Sequence, residues 1–451
     1  MNLDMTWTGL ARAAGGRLLK GGPEDPVESL STDTRSLREG QAFWALKGPR
    51  FDAHDLLDTP AARKASGWIV SRLPEGGLAP EHVMLVPDGL KALQALAASH
   101  RRRFDIPVAG ITGSNGKTTT KEMLKSICLR VGPTCSTPGN WNNQLGVPLS
   151  VLELRAEHRY GVFELADSHP GDIDEVARVA QPTIGVLTNI GPDHLEFYGS
   201  MEANFKTKSE LIDRLPEDGR AVINIDDPWL AGLETRLGAR AVTYGFDPRA
   251  KICFVGKDEL DLDRHRIKVR LSAIGALSRY NAAAAAAAAW AMGIPPEAIR
   301  LGLEDYRPGL WRLEPMRHDS GCDILFDAYN ANPASMKASI EAFCEEFAGK
   351  EKVLVLGDMK ELGTGSEGFH SELGAWLSGL PLRAVYLAGP EMEAARRALK
   401  DARFPVAHGA SAEPWLDALH GECASGRAVF FKASRSMRFE DILKELRCST
   451  I

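Results

Sequence analysis

The sequence predicts an α/β protein of three domains. A small α/β N-terminal domain spans 1–100, a central parallel-sheet domain 101–312, and a C-terminal Rossmann-like domain 313–451. Three observations predict this. The chain has 451 residues, and domains run to about 150 residues each. Short apolar runs recur with helical stretches between them, and the runs are continuous rather than alternating, as in parallel strands covered on both faces. The stretch "VAGITGSNGKTTTKEML", Val108 to Leu124, places a Gly-rich turn between an apolar run and an amphipathic one.

The first domain holds the runs "QAFWALKG", "GWIVS" and "HVMLVP", separated by turn residues. The polar "SHRRRFD", Ser99 to Asp105, reads as a junction. In the second domain the strand-like runs are "VAGITG", "YGVFEL", "IGVLTNI" and "AVINI". Strand and helix taking turns implies right-handed crossovers and a doubly wound sheet. The eight alanines Ala282–Ala289 follow Asn281; they predict a helix packed closely on the sheet, since alanine has the best helix propensity and little bulk. In the third domain "DILFDA", "KVLVLGD", "RAVYLAG" and "AVFFKAS" predict a second Rossmann-like sheet.

Composition narrows the class. Hydrophobic residues make up 44% of the chain, enough for a core in each domain. The net charge of −6 argues against a nucleic-acid binder. Seven cysteines lie scattered with no CxxC pair; an odd number excludes a full disulfide framework and points to a reduced, cytoplasmic setting. The N-terminus lacks the apolar core of a signal peptide, and the alanine tract is too short and weakly apolar to span a bilayer. No membrane insertion is expected.

The Gly-rich turn explains itself as a phosphate loop, which makes the central domain a P-loop, mononucleotide-binding one. Glycines let the backbone curl with its N–H groups inward, and the following helix adds its positive end. Lys117 supplies a full charge and Thr118 a hydroxyl suited to Mg²⁺. The standard spacing requires Gly at position 111, where Ile111 stands; Gly110 and Gly113 flank it. Three later residues sit where a doubly wound sheet places ligands. Glu164 ends "YGVFEL", His194 follows "IGVLTNI" within "GPDHLEFYGS", and Lys208 lies in "NFKTKSELI". Read from the residues alone, these say multi-domain α/β enzyme using ATP. A P-loop ATPase that switches a partner protein is a rival of another class.

Seven segments together resemble the Mur ligase family: "GITGSNGKTTTKEM", "TPGNWNNQLGVPLSVL", "FELADSHPGDI", "TNIGPDHLEFYGS", "KTKSELI", "FDAYNANPASM" and "LGDMKELG". "STDTRSLREGQAFWALKGPRFDAHD" is similar to that family's uridine-binding domain, and "FFKASRSMRFEDIL" fits its C-terminus. Folylpolyglutamate synthase shares the ATP-ligase core but has no such N-terminal domain. "YNANP" and "LGDMKELG" separate the chain from ligases adding single amino acids.

The resemblance implies a first domain binding the UDP-sugar, a second binding ATP, and a third admitting an amine. It implies UDP-N-acetylmuramoyl-tripeptide and D-alanyl-D-alanine as substrates, ATP, two Mg²⁺ and a CO₂-derived lysine carbamate as cofactors, and a monomer. Gly113, Ser114, Asn115, Gly116, Lys117, Thr118 and Thr119 would hold the ATP phosphates. Asn281, Arg312, Asp327 and Asn330 would approach the nucleotide. Thr118 and Glu164 would ligate one metal and His194 the second. Lys208 would be the carbamate, with Lys206 competing. Ser31, Thr34, Arg35, Asn140, Asn143 and Ser168 would face the nucleotide-sugar. Asp358, Lys432, Ser434 and Arg435 are candidates for the dipeptide. The family pattern implies rotation near residues 101 and 312. Departures from that pattern are "GALSRYN" without a His before Asn281, Trp311 where Gly precedes Arg312, and Ser168 where Asn is usual.

Overall fold

The computed structural model describes residues 1–73, 80–193, 195–446 and 448–450. Three sheets follow one another along the chain. The first runs Asn2–Thr6, Pro26–Ser31, Gln41–Trp44, Gly67–Val70, His82–Leu85, Arg17–Lys20. Its middle four strands are parallel and its outer two pair antiparallel. The three runs singled out in the sequence form three of the parallel strands. The edge strand Arg17–Lys20 has one half-buried residue among exposed ones, so no apolar signal announces it.

The second sheet has nine strands. Seven are parallel, in the order Thr134–Ser136, Tyr160–Glu164, Val108–Thr112, Ile184–Leu187, Arg220–Asn224, Ala241–Gly245, Ile252–Val255. An antiparallel pair, Glu259–Leu262 and His265–Lys268, closes one edge. Val108–Thr112 and Ile184–Leu187 are buried at every residue, which is why they read as unbroken apolar runs. The chain leaves Val108–Thr112 for one side and later returns on the other. The carboxyl ends of these strands therefore frame a crevice at a topological switch point.

The alanine tract lies in the helix Gly275–Ala291, and Ala282–Ala289 are all buried. Only a methyl separates this helix from the sheet and from the helix Lys117–Leu129. The helix Pro296–Asp305 packs as tightly, for a Cβ on Gly302 would lie 2.3 Å from the Ile127 Cα.

The third sheet runs Val406–Gly409, Ala384–Ala388, Glu351–Gly357, Arg427–Lys432, Asp323–Asp327 in parallel. Glu314–His318 and Cys448–Thr450 add an antiparallel edge.

The stretch read as a polar junction at Ser99–Asp105 is firmly held instead. The helix Gly89–Arg101 shares one hydrophobic core with both the first and second sheets' helices through Leu93, Leu96 and Ala97. His100 and Arg101 are buried. The Arg101 guanidinium donates to the carbonyls of Ala180 (3.1 Å), Phe104 (2.5 Å) and Ile106 (3.3 Å), and His100 Nε2 meets the Leu154 carbonyl at 3.0 Å. A polar sequence here satisfies buried backbone rather than solvent.

Two predictions follow from this packing. Ala285→Leu has no space to expand into and should lower stability by about 1–3 kcal/mol in urea unfolding, without loss of fold class. Burial pushes the Cys128 and Cys135 thiols up to about 12. A folded-state value that high leaves roughly one thiolate in ten thousand at pH 8. Both should resist iodoacetamide at pH 8 in the native protein and react in denaturant.

Candidate active site

The strand Val108–Thr112 delivers the chain into the turn Gly113–Gly116, and the helix Lys117–Leu129 follows. Gly113 has φ 137° and a Cβ there would lie 2.0 Å from Thr188 Oγ1. Gly116 has φ 81°, and its Cβ would lie 2.1 Å from Asn281 Oδ1. Both positions therefore exclude any side chain. Gly116 supplies no side-chain cap and no acid stands in the first helical turn. The first-turn N–H groups keep their capacity for an anion. Lys117 Nζ donates to the Gly113 carbonyl at 2.5 Å, within the same turn.

The turn is braced from behind. Ser114 Oγ donates to Asp193 Oδ1 at 2.5 Å, the Asn115 amide donates to Asn189 Oδ1 at 3.0 Å, and Thr188 Oγ1 donates to the Asn115 carbonyl at 2.6 Å. Glu164, at the end of Tyr160–Glu164, is buried in front of it. Its Oε1 accepts from Thr118 Oγ1 (3.1 Å) and Asn142 Nδ2 (2.7 Å), while its Oε2 is buried with no partner.

The third domain closes the other side. Arg312 donates to Thr118 Oγ1 at 3.1 Å and lies 3.8 Å over the Tyr329 ring. Asp327 is not free: its Oδ2 accepts from Lys432 Nζ at 2.6 Å and Ser339 Oγ at 2.8 Å. Asn330 Oδ1 accepts its neighbour's amide, Ala331 N, at 2.9 Å. Asn332 does double work. Its Oδ1 caps the helix Pro333–Glu346, and its Nδ2 reaches across to Asn115 Oδ1 at 2.8 Å. Ser114 to Thr119, Glu164, Asn281, Arg312, Asp327 and Asn330 all line one cavity of about 260 Å³.

Lys208 is fully buried, whereas Lys206, two residues earlier on the same helix, is exposed. Lys208 Nζ lies 2.8 Å from Asp167 Oδ2 and 3.3 Å from Asp193 Oδ2. Tyr198 also donates to Asp167, at 2.6 Å, and burial with that neighbouring carboxylate raises its hydroxyl well above the usual phenol range. Burial opposes ionisation of Asp193, yet the ammonium groups of Lys208 and Lys117 and the hydrogen bonds from Ser114 and Asn204 hold it below the usual carboxylate range. Asp167 Oδ1 and Asp193 Oδ2 have no hydrogen-bond partner. His194 lies outside the described residues.

Thr118, Glu164 and Asp167 offer a hydroxyl and two carboxylates, with unpartnered buried oxygens on both acids. This is a hard oxygen set that fits Mg²⁺. Among the described residues no three His, Cys, Asp or Glu side chains gather as a full cage. A metal carried in on nucleotide phosphates needs only one or two protein carboxylates.

A second cavity, of about 880 Å³, opens between the first domain and the segment 140–149. Thr34, Arg35, Asn140 and Asn143 line it, with Phe51 and Trp141. Phe51 and Trp141 are 58% and 50% exposed. The Arg35 guanidinium pairs with Asp33, at 2.6 Å. Ser31 is not on this wall; its hydroxyl turns to the Asp33 backbone. Nor is Ser168, whose amide donates to Asp172 Oδ2 at 2.8 Å. Of the third-domain candidates, Lys432 joins the first cavity. Asp358 accepts from Lys360 Nζ (2.8 Å), Ser434 Oγ from the Lys360 amide (3.0 Å), and Arg435 stacks on Trp311 at 4.2 Å.

Sequence reasoning missed Asp167, Asp193, Asn142, Tyr329 and Asn332 as site residues. All five fall inside quoted segments, four of them directly beside a chosen residue and Asn332 two residues past Asn330, so adjacency was the available signal.

Comparison with known proteins matches this arrangement. The family model described as Mur ligase middle domain matches residues 111–289, and that described as Mur ligase, glutamate ligase domain matches 311–435. A UDP-N-acetylmuramoyl-tripeptide–D-alanyl-D-alanine ligase of Bacillus subtilis is 36% identical over 430 residues, 93% of either chain. The chain belongs to the Mur ligase family. Among solved structures, MurF from Acinetobacter baumannii superposes with a TM-score of 0.91 at 33% identity, covering 99% of both chains. The MurF ligase of Thermotoga maritima, solved in complex with ADP, superposes with a TM-score of 0.82 at 31% identity, over 93% of this chain and 98% of that one.

Within this Mur ligase, the Asn115–Asn332 bond is a direct contact between phosphate loop and third domain. Asn115→Ala and Asn332→Ser (serine keeps the helix cap) should each lower kcat/KM. The double variant should be hardly worse than either single, a coupling of about 0.5–3 kcal/mol in a double-mutant cycle.

Proposed function

We propose that this chain joins the terminal peptide carboxylate of UDP-N-acetylmuramoyl-tripeptide to the amine of D-alanyl-D-alanine, using ATP. The observation that carries the reading is the convergence at Thr118. The phosphate loop, Glu164 and Arg312, at the junction with the third domain, meet there, one short loop away from the larger cavity.

A carboxylate is a poor electrophile and must be activated. One of its oxygens bonds to the γ-phosphorus of ATP as the bond to the β-phosphate oxygen breaks, releasing ADP. The amine lone pair then adds to the acyl carbon, the C–O bond to phosphate breaks, and the amine proton leaves. The first step brings two anions together, so positioning and charge neutralisation dominate. The loop amides and Lys117 grip the phosphates. Arg312 places a second fixed cation against Thr118. Thr118, Glu164 and Asp167 would hold Mg²⁺, which would supply further neutralisation of phosphate charge. Closure of the third domain keeps water from the acyl phosphate.

The larger cavity, with Thr34, Arg35, Asn140 and Asn143 on its wall, takes the nucleotide-sugar. Ser31 acts through the adjoining Thr32–Arg35 loop, which lines it. Asn281, Arg312, Asp327 and Asn330 serve the nucleotide. Lys432, Asp358, Ser434 and Arg435 are the third domain's candidates for the dipeptide. The family resemblance makes His194 the candidate ligand of a second metal. The enzyme works as a monomer in the cytoplasm, where ATP is made. No helix among the described residues is long and apolar enough to cross a membrane.

Lys208 is the carbamate residue in this reading. Its amine is buried between two carboxylates beside the loop, and the alternative, Lys206, points to solvent. As an ammonium it balances Asp167 and Asp193. As a carbamate it adds a third anion, an arrangement stable only beside divalent cations. The metal-loaded enzyme supplies those cations.

Phosphate release should require both the nucleotide-tripeptide and D-alanyl-D-alanine; release without the dipeptide would favour the ATPase reading. Lys208→Ala should abolish ligation while Lys206→Ala stays near wild type. With Mg²⁺ and ADP, ¹³C-bicarbonate should give a carbamate resonance in wild type that Lys208→Ala lacks.

A further inference from the structure

Lys121 is fully buried and has no part in the chemistry above. It sits one turn into the phosphate-loop helix. Its ammonium donates to the carbonyls of Thr137 (2.9 Å) and Gly139 (3.1 Å) and pairs with Glu122 Oε1 at 2.7 Å. A lysine taken wholly out of water is rarely kept without a specific partner set. Here two of its three partners belong to one loop.

That loop serves both cavities. Thr137 Oγ1 accepts the Glu164 amide at 3.0 Å, and Asn142 Nδ2 donates to Glu164 Oε1 at 2.7 Å. Between them, Asn140 and Trp141 line the larger cavity together with Asn143. Gly139 itself has φ 53°, a left-handed turn that needs fixing at its root. Lys121 fastens that root to the helix whose first turn grips phosphate.

We infer that Lys121 is a positioning residue that couples the two cavities. Its ammonium holds the 137–143 loop in the one setting that presents Asn140 and Trp141 to the nucleotide-sugar while Asn142 orients Glu164 beside Thr118. The inference rests on the ligase reading. It adds that the distance between the carboxylate to be activated and the phosphate is set from beneath, by a residue that touches neither.

The test compares Lys121→Met with wild type in the full-length protein. The expected result is a rise in KM for UDP-N-acetylmuramoyl-tripeptide of tenfold or more and a fall in kcat of tenfold or more. ADP affinity should stay within threefold, because the loop amides and Lys117 are untouched. Hydrogen exchange should quicken over residues 137–146 and not over 117–129. An unchanged KM overturns the inference, whatever the exchange shows. A parallel loss of ADP binding also overturns it, since Lys121 would then only support the helix. Should the methionine variant not fold, Lys121→Arg, which keeps the charge but crowds the carbonyls, must show the same selective rise in KM. Wild-type enzyme that fails to ligate the two substrates would refute the ligase reading itself.

Discussion

The phosphate turn fixes everything around it because no atom can be added to it. At Gly113 the space a methyl would need is held by Thr188, and at Gly116 by Asn281. The turn is thus defined by two neighbours, one just past the end of the next strand and one on the alanine-rich helix. Both neighbours are themselves set by the sheet. Ile184–Leu187 pairs in register with Val108–Thr112, which carries Thr188 alongside Gly113. The buried alanines bring Asn281 down to Gly116. The function of that featureless tract is therefore proximity, since bulkier residues would lift Asn281 off the loop.

Charge then organises the cleft in two layers. Facing the cavity are Lys117, Arg312 and Glu164. Behind it lies a buried set in which Lys208 stands between Asp167 and Asp193, with Ser114 tying Asp193 to the loop. A buried ion pair is weak evidence for stability, because desolvation offsets much of the attraction. Its value here is directional. Asp193 fixes Ser114, and Asp167, a residue of the cavity wall, takes the Lys208 ammonium and the Tyr198 hydroxyl. Removing either acid would leave Lys208 under-compensated in a dry site, so the pair and the loop rise and fall together.

Much of this was legible in the sequence, and the reasons are specific. Parallel strands covered on both faces are unbroken apolar runs, so the eight named runs of the second and third domains become strands. The phosphate loop is local, seven residues whose chemistry needs no distant partner. What escaped was either at an edge or decided by distant pairing. Arg17–Lys20 is a solvent-facing edge strand without an apolar stripe. "SHRRRFD" reads as a polar junction, and side-chain polarity alone cannot show that His100 and Arg101 meet buried carbonyls there. Lys206 and Lys208 are equivalent in composition, and only the helix's orientation buries one of them. Asp327 is a ligand candidate by position, yet Lys432, 105 residues further on, already occupies its oxygen.

The junction at Arg312 shows how a departure from the family pattern is absorbed. Trp311 and Leu313 have φ of 63° and 51°, the left-handed region that glycine enters freely and larger residues enter at about 1–2 kcal/mol each. Trp311 stands where glycine is usual, so the backbone there is strained and must be held. Its amide donates to Glu314 at 2.8 Å, its carbonyl accepts from Tyr329 at 3.2 Å, and its ring lies beneath Arg435 at 4.2 Å. Arg435 is fixed in turn by Glu440, at 2.8 Å and 3.0 Å. Glycine would need none of these contacts and would hold no third-domain residue in return. These contacts hold the backbone around Trp311 in the setting that places Arg312 on Tyr329 and against Thr118. The left-handed backbone at Trp311 and the Arg312 contact on the phosphate loop are thus held by one set of neighbours.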